Sequence, residues 1–230
     1  MKIINWNVNR ATPQSKNSRA VEILNRINQH SPEIVCLTET HPELLKDGCT
    51  ISAGIRENSR KVLLWSREPW KRVDDNIGDD RLPPGRFISG VTQTSVGEVI
   101  VVGLCIPWCG SRVKAGHKEK WEDHKDYLKH LAEVFSRKPS KRLVVMGDFN
   151  QKSGRRRPGS EAAHRAALLQ QAIPPHATLV TCALKTIDHI ALSADLEVRS
   201  LDVISNIPGE RELFDRGRFG VVADVSVRSC

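Results

Sequence analysis

An aspartate and an asparagine two residues apart, Asp148 and Asn150 in "LVVMGDFNQ", close an apolar run that reads as a buried strand. A carboxylate at the mouth of a core is destabilising unless its charge has a use. Similar interruptions recur along the chain. Asn7 sits between Trp6 and Val8, Glu39 ends "EIVCLTE", Asp188 interrupts "TIDHIALS", and Asp215 stands in "LFDRGRFGVVAD". In α/β sheets, ligands gather where strand ends converge. Carboxylates brought together at one rim repel each other unless a cation intervenes. Hard oxygen donors of this kind suit Mg2+, which keeps several waters and takes few carboxylates plus substrate phosphate. Taken singly, each residue also has an ordinary structural use: Asp148 as a turn cap, Glu39 as a surface acid, Asp188 as half of an ion pair, Asn7 as a satisfied core amide.

The elements that position these residues are mostly strands. Apolar or alternating runs predict strands at 2–9, 33–39, 61–66, 86–93, 98–106, 142–149, 186–193, 197–205 and 221–228. In the first, Ile3, Asn5 and Asn7 alternate with Ile4, Trp6 and Val8. Helical spacing appears at 17–30, with Ser18 as cap and Pro32 closing it, and at 118–136, where Trp121, His124, Leu128, Leu131 and Phe135 form one stripe. A third helix is predicted from near Ser160 to Ile173, before Pro174 and Pro175. Strands recur from end to end without a linker or low-complexity tract, so one α/β domain is expected over residues 1–230.

The chain has 35 basic and 27 acidic residues, a net charge of +8 and a pI near 9.4. Such a balance favours encounters with polyanions. The loop "QKSGRRRPGS" places Arg155, Arg156 and Arg157 directly after the Asp148 segment, either as a solvated charge run or as phosphate contacts. No apolar stretch approaches the length of a bilayer span, and the N-terminus lacks the features of a signal peptide, so no membrane partner and a cytoplasmic location are expected. The six cysteines form no regular framework and are expected to be reduced. His189 follows Asp188, and strand alternation turns it to the opposite face.

Taken in order, the segments "INWNVNR", "VCLTET", "VVMGDFNQ", "TIDHIAL" and "FGVVADV" resemble the endonuclease/exonuclease/phosphatase superfamily across essentially the whole chain. "VCLTET" is similar to the family's "LQET" strand end, and "GDFN" is the most specific of the set. The resemblance implies a four-layer α/β sandwich, with two mixed β-sheets packed face to face and helices outside. It also implies a divalent-metal-dependent phosphodiester hydrolase with nucleic acid, or another phosphodiester, as substrate. Mg2+ is the implied ion, with Mn2+ as an alternative, held by Glu39, Asn7 and Asp215. Asp148 would take the proton of the attacking water, Asn150 would hold a phosphate oxygen, and Asp188 would support the phosphate clamp. Asn9 joins Arg155, Arg156 and Arg157 as expected substrate contacts. Period-two geometry would put Asp148 and Asn150 on the same side of an extended segment.

One element departs from the family. Its "SDH" before the last strand, whose histidine contacts phosphate while bonded to the "IDxI" aspartate, has no histidine counterpart here. Aligning on Asp215 puts Arg216 in the histidine's place, whereas aligning back from Phe219 and Gly220 puts Gly217 and Arg218 in the Asp–His places. An arginine clamps phosphate through its fork but exchanges no proton near neutral pH. A family position that often carries Tyr or His is Cys105 in "LCIPW". Two readings follow: a working nuclease with Arg216 as clamp, or a degenerate relative that binds phosphate-containing ligands without turnover.

Overall fold

The computed structural model describes residues 1–13, 19–56, 58–116, 118–137, 141–152, 157–174, 176–206, 213 and 218–229, with backbone only at 54–56. Two six-stranded mixed sheets pack face to face, with helices on their outer faces. The first sheet contains β1 (Lys2–Asn7), β2 (Ile34–Thr40), β3 (Cys49–Arg56), β4 (Ser59–Ser66), β11 (Leu196–Ile204) and β12 (Gly220–Val227), in the order β11-β12-β1-β2-β4-β3. The second contains β5 (Lys71–Asp74), β6 (Phe87–Thr94), β7 (Gly97–Cys105), β8 (Leu143–Asp148), β9 (Ala177–Leu179) and β10 (Asp188–Ser193), in the order β5-β6-β7-β8-β10-β9. Within each sheet one pair is parallel, β1 with β2 and β7 with β8, and these pairs lie at the centre.

Period-two patterning explains the layers. Ile3, Ile34, Cys36, Val144, Met146, Ile190 and Leu192 point between the sheets and form one core. The alternate residues Ile4, Trp6, Val35 and Leu37 face α1 (Arg19–Gln29). Val102, Leu104, Leu143, Val145 and Ala191 face α2 (Glu122–Ser136) and α3 (Glu161–Ala172). Gly103 is on the inner face, where a Cβ would lie 2.8 Å from Val62, so a larger residue would force the sheets apart. Two amide bonds staple the layers: Asn5 Nδ2 of β1 donates to Gly147 O (2.9 Å) and His189 O (3.0 Å) in the opposite sheet.

The nine expected strands are present, and β3, β5 and β9 are additional. β3 carries two register irregularities against β4, β5 is a short exposed edge, and β9 has three residues, so none presents the long regular pattern that marks a strand in sequence. The expected helix over 17–30 is described from Arg19, and its Ser18 cap lies outside the described residues. α3 begins as expected, with Ser160 Oγ accepting from Ala163 N at 3.1 Å. No described helix is long and apolar enough to cross a membrane.

Candidate active site

β8 ends at Asp148, whose side chain follows Val144 and Met146 onto the inter-sheet face. The preceding Gly147 has φ 149°, and a Cβ there would lie 1.9 Å from Leu104 O. Only glycine lets β8 run that close beside β7. Asp148 is nearly fully buried. Its Oδ2 accepts from Asn7 Nδ2 (2.8 Å) and its Oδ1 from the Asn150 backbone N–H (2.8 Å). Asn7 is fixed in turn, because Asn9 N donates to its Oδ1 at 3.0 Å.

Asn150 corrects the extended-segment expectation. The strand stops at Asp148, and Asn150 lies in the left-handed region at φ 50°, as the turn back to the Asp148 carboxylate requires. Its Nδ2 donates to Ile106 O at 2.8 Å. The Asp-x-Asn spacing therefore makes a side-chain-to-backbone turn rather than two side chains along one strand face.

Asp188 is the first residue of β10 and pairs in antiparallel register with Asp148. It is buried, and its Oδ1 has no hydrogen-bond partner among the described residues. Burial, followed by the charge of Asp148, pushes its carboxyl well above the usual range. Burial also raises Asp148, to about 6, against the opposing pull of its two hydrogen bonds and of Arg218. The two acids thus differ in kind: Asp148 is hydrogen-bonded in its charged form, while Asp188 favours its proton.

Glu39 completes the rim. By alternation after Cys36 and Thr38 it would face α1, but it is left-handed at φ 49° and turns towards the acids instead. Its Oε1 lies 3.2 Å from Lys61 Nζ and its Oε2 lies 3.4 Å from Arg218 Nη1. Burial works against its charge, yet these two cations outweigh it and hold the carboxyl below its ordinary value. Lys61 was not among the expected site residues, although a lysine opening the apolar run "KVLLWS" was the available signal. Arg218 enters by the second of the two alignments of the last strand.

Asp215, Arg216, Arg155 and Arg156 lie outside the described residues. Arg157 is exposed before α3, where its carbonyl accepts from Ser160 Oγ. Asn9 is left-handed at φ 44°, and its carbonyl accepts from Arg19 Nη2 at 2.7 Å. His189 is a core residue on the far face from Asp188. Its Nδ1 meets Thr181 Oγ1 (2.8 Å) and its Nε2 meets Gln151 O (2.9 Å). Cys105 pairs with Asp148 across the parallel ladder, and burial pushes its thiol up to about 12, which removes it as a nucleophile.

No group of three or more His, Cys, Asp or Glu able to hold a metal is present among the described residues. The donors that do converge are oxygens. Glu39 is 20% exposed, Asn7 offers an amide oxygen, and Asp188 carries a buried oxygen without a partner among the described residues. That set fits a hard divalent ion bound through few protein ligands and several waters. An ion on Glu39 would compete with Lys61 and Arg218 for the same two oxygens.

The whole arrangement sits on a known fold. The AP endonuclease from Archaeoglobus fulgidus superposes with a TM-score of 0.71 at 14% identity, covering 99% of this chain and 100% of that one. Humanized D. rerio TDP2 gives 0.70 at 13% identity, covering 99% of both chains. The 3′ phosphatase NExo from Neisseria, bound to a product DNA hairpin, gives 0.69 at 18% identity, covering 97% of this chain and 98% of that one. No curated protein matches the sequence. The model of the endonuclease/exonuclease/phosphatase family matches residues 4–209, and with that span, and the acids and amides in their expected order, the chain belongs to this family.

Proposed function

We propose that this chain is a divalent-metal-dependent phosphodiesterase that cleaves nucleic acid by water attack on phosphorus. The observation that carries the reading is Asp148: a buried carboxylate oriented by Asn7 and Asn150, raised to about 6 and paired in register with Asp188. A base of that strength is ionised at neutral pH yet basic enough to take a proton from water. Asn150 uses one amide hydrogen on Ile106 O and has a second for a phosphate oxygen. Asp188, protonated beside Asp148, is a neutral hydrogen-bond donor at the same edge. Arg216 and Arg218 are the candidates for the clamp that the family builds with histidine, and a guanidinium there binds phosphate without exchanging protons. A divalent ion held by Glu39 and Asn7, with Asp215, would stabilise negative charge on the phosphate and the leaving oxygen.

The net charge of +8 favours a polyanionic substrate. Similar folds bound to a DNA hairpin and to single-strand DNA product add support, though those ligands belong to other proteins. Asn9, Arg155, Arg156 and Arg157 are the proposed substrate contacts. The free thiols of Cys36, Cys49, Cys105 and Cys109 accord with a reducing compartment such as the cytoplasm.

A second reading draws on Glu39. Both its oxygens face cations of the chain itself, an arrangement suited to a relative that binds phosphate without turnover. One experiment separates the two. Wild type, Asp148→Asn and Arg216→His are incubated with DNA, RNA and bis(p-nitrophenyl) phosphate, with Mg2+, with Mn2+ and with EDTA. Metal-dependent cleavage by wild type that falls by roughly 10²- to 10⁴-fold in Asp148→Asn is the expected result. Nucleic-acid binding without cleavage under any condition would replace the first reading by the second.

A further inference from the structure

The chain after β7 carries a feature that the hydrolytic site does not use. Ile106 is bonded on both sides to the candidate site, its N–H donating to Asp148 O (2.8 Å) and its carbonyl accepting from Asn150 Nδ2 (2.8 Å). Two residues further on stands Trp108, 53% exposed and the only aromatic among the exposed large apolar side chains of the described residues. Its ring lies over Gly110, where a Cβ would sit 2.4 Å from the indole. One face of the indole is therefore backed by the chain, and the exposure belongs to the rest of the ring. Such an arrangement makes a flat platform.

The backbone that carries the indole is tied down by hydrogen bonds. Pro107 O meets His124 Nδ1 at 2.8 Å, Trp108 O accepts from Ser111 N at 3.0 Å, and Cys109 O accepts from Trp121 N at 2.8 Å. Ser111 and Arg112 both bind the buried carboxylate of Asp123. His124 reaches on to the Gln151 side chain at 3.0 Å, so the same network grips the residue after Asn150. A segment whose backbone is already ordered loses little main-chain freedom on binding.

A pocket of about 290 Å3 opens beside Asn150, lined by Trp121, Lys152 and Arg165 among others. The Arg165 guanidinium stacks 3.8 Å over the Trp121 ring, which fixes its plane. An exposed indole two residues beyond Ile106, and two cations in the pocket beside Asn150, supply the usual combination for a single nucleic-acid strand: stacking for the base, cations for the backbone. A base inside an intact duplex has both faces stacked already and offers none to a lone indole. An apolar protein partner would gain nothing from the neighbouring cations.

We propose that Trp108 is a stacking platform for an unpaired base next to the scissile phosphate, and that the Arg165–Lys152 pocket receives an adjoining phosphate, so that the ligand is single-stranded or frayed nucleic acid. The position of the scissile phosphate rests on the phosphodiesterase reading above; the stacking does not depend on turnover. The test uses the full chain carrying Asp148→Asn, so that no substrate is consumed, with a fluorescein-labelled ten-nucleotide strand and a blunt hairpin of equal charge. Trp108→Ala should weaken strand binding roughly five- to hundredfold while changing hairpin binding little, and Trp108→Phe should recover most of the loss. Tryptophan fluorescence should be quenched by the strand in the parent and much less in Trp108→Phe. Equal strand affinity in parent and Trp108→Ala overturns the proposal and leaves the indole to a protein partner. Equal losses on strand and hairpin overturn it as well. Selective strand binding through Trp108 in a wild type that hydrolyses nothing would uphold the platform and overturn the phosphodiesterase reading.

Discussion

The space between the two sheets has two ends built on the same pleat. At one end Met1, Ile3 and Ile34 meet Val99, Val144 and Leu192, an apolar contact closed to water. At the other end the same inward positions of the same strands carry Asn5, Asn7, Thr38, Asp148 and Asp188, equally buried. Backbone geometry does not distinguish the ends; side-chain chemistry does. The apolar end stabilises the molecule by removing hydrocarbon from water. The polar end removes carboxylates from water, and it persists because Asn5 and Asn7 reach across the gap with hydrogen bonds and because Lys61 and Arg218 partly neutralise the rim. The two ends should therefore respond to substitution with opposite signs.

The largest effect is expected at the apolar end. Leu192→Ala should destabilise the fold by about 2–5 kcal/mol in chemical denaturation, nearly independent of pH. At the polar end Asp188→Asn should instead stabilise, by about 1–3 kcal/mol at pH 8 in EDTA, because it removes a carboxyl that the fold must keep protonated well above the pH at which the unfolded chain releases it. The sign follows from the direction of the shifts. Asp148 and Asp188 are both raised in the folded state, so the fold binds more protons than the unfolded chain, and stability falls as pH rises from about 4 through 6 and beyond. Wild type should show that decline in EDTA, and Asp188→Asn should flatten it. A stability curve that rises over this window would invert the contrast between the ends. The smallest effect belongs to Arg218→Met. Removing this partly exposed cation should lower stability at pH 8 by about 1 kcal/mol or less and leave pH 4 almost unchanged.

Much of this was legible in the sequence because it rests on period two. The alternation in "KIINWNVN" assigned Asn5 and Asn7 to one face and Trp6 to the other, and the same rule sent His189 away from Asp188. Glu39 and Asn150 were expected at the site, but the backbone by which they leave the pleat was not legible. Glu39 and Asn150 reach the site through left-handed residues, and no pattern of apolar spacing encodes that rotation. Lys61 escaped for a different reason, and Arg218 was reached only through one of two alignments. Their role depends on which segments come to lie beside the end of β2, β4 as its sheet neighbour and the residues just before β12, and that is set by pairing across the chain. The buried Asp123 is closed over by Ser111 and Arg112, a contact that helical spacing alone does not signal.

The strand order also has a consequence for how the molecule comes into being. The second sheet uses only β5 to β10, a continuous stretch of chain from Lys71 to Ser193, whereas the first joins β1 directly to β12. Contacts between the first and last strands form late, since a long loop must close before they are rewarded. During synthesis the second sheet can assemble with Asp148 and Asp188 already opposite each other. β1, with Asn5 and Asn7, loses one of its two neighbours until β12 emerges. A chain interrupted before Gly220 therefore carries the acids without a completed frame to hold them, so the order of translation itself delays assembly of the candidate site to the final step.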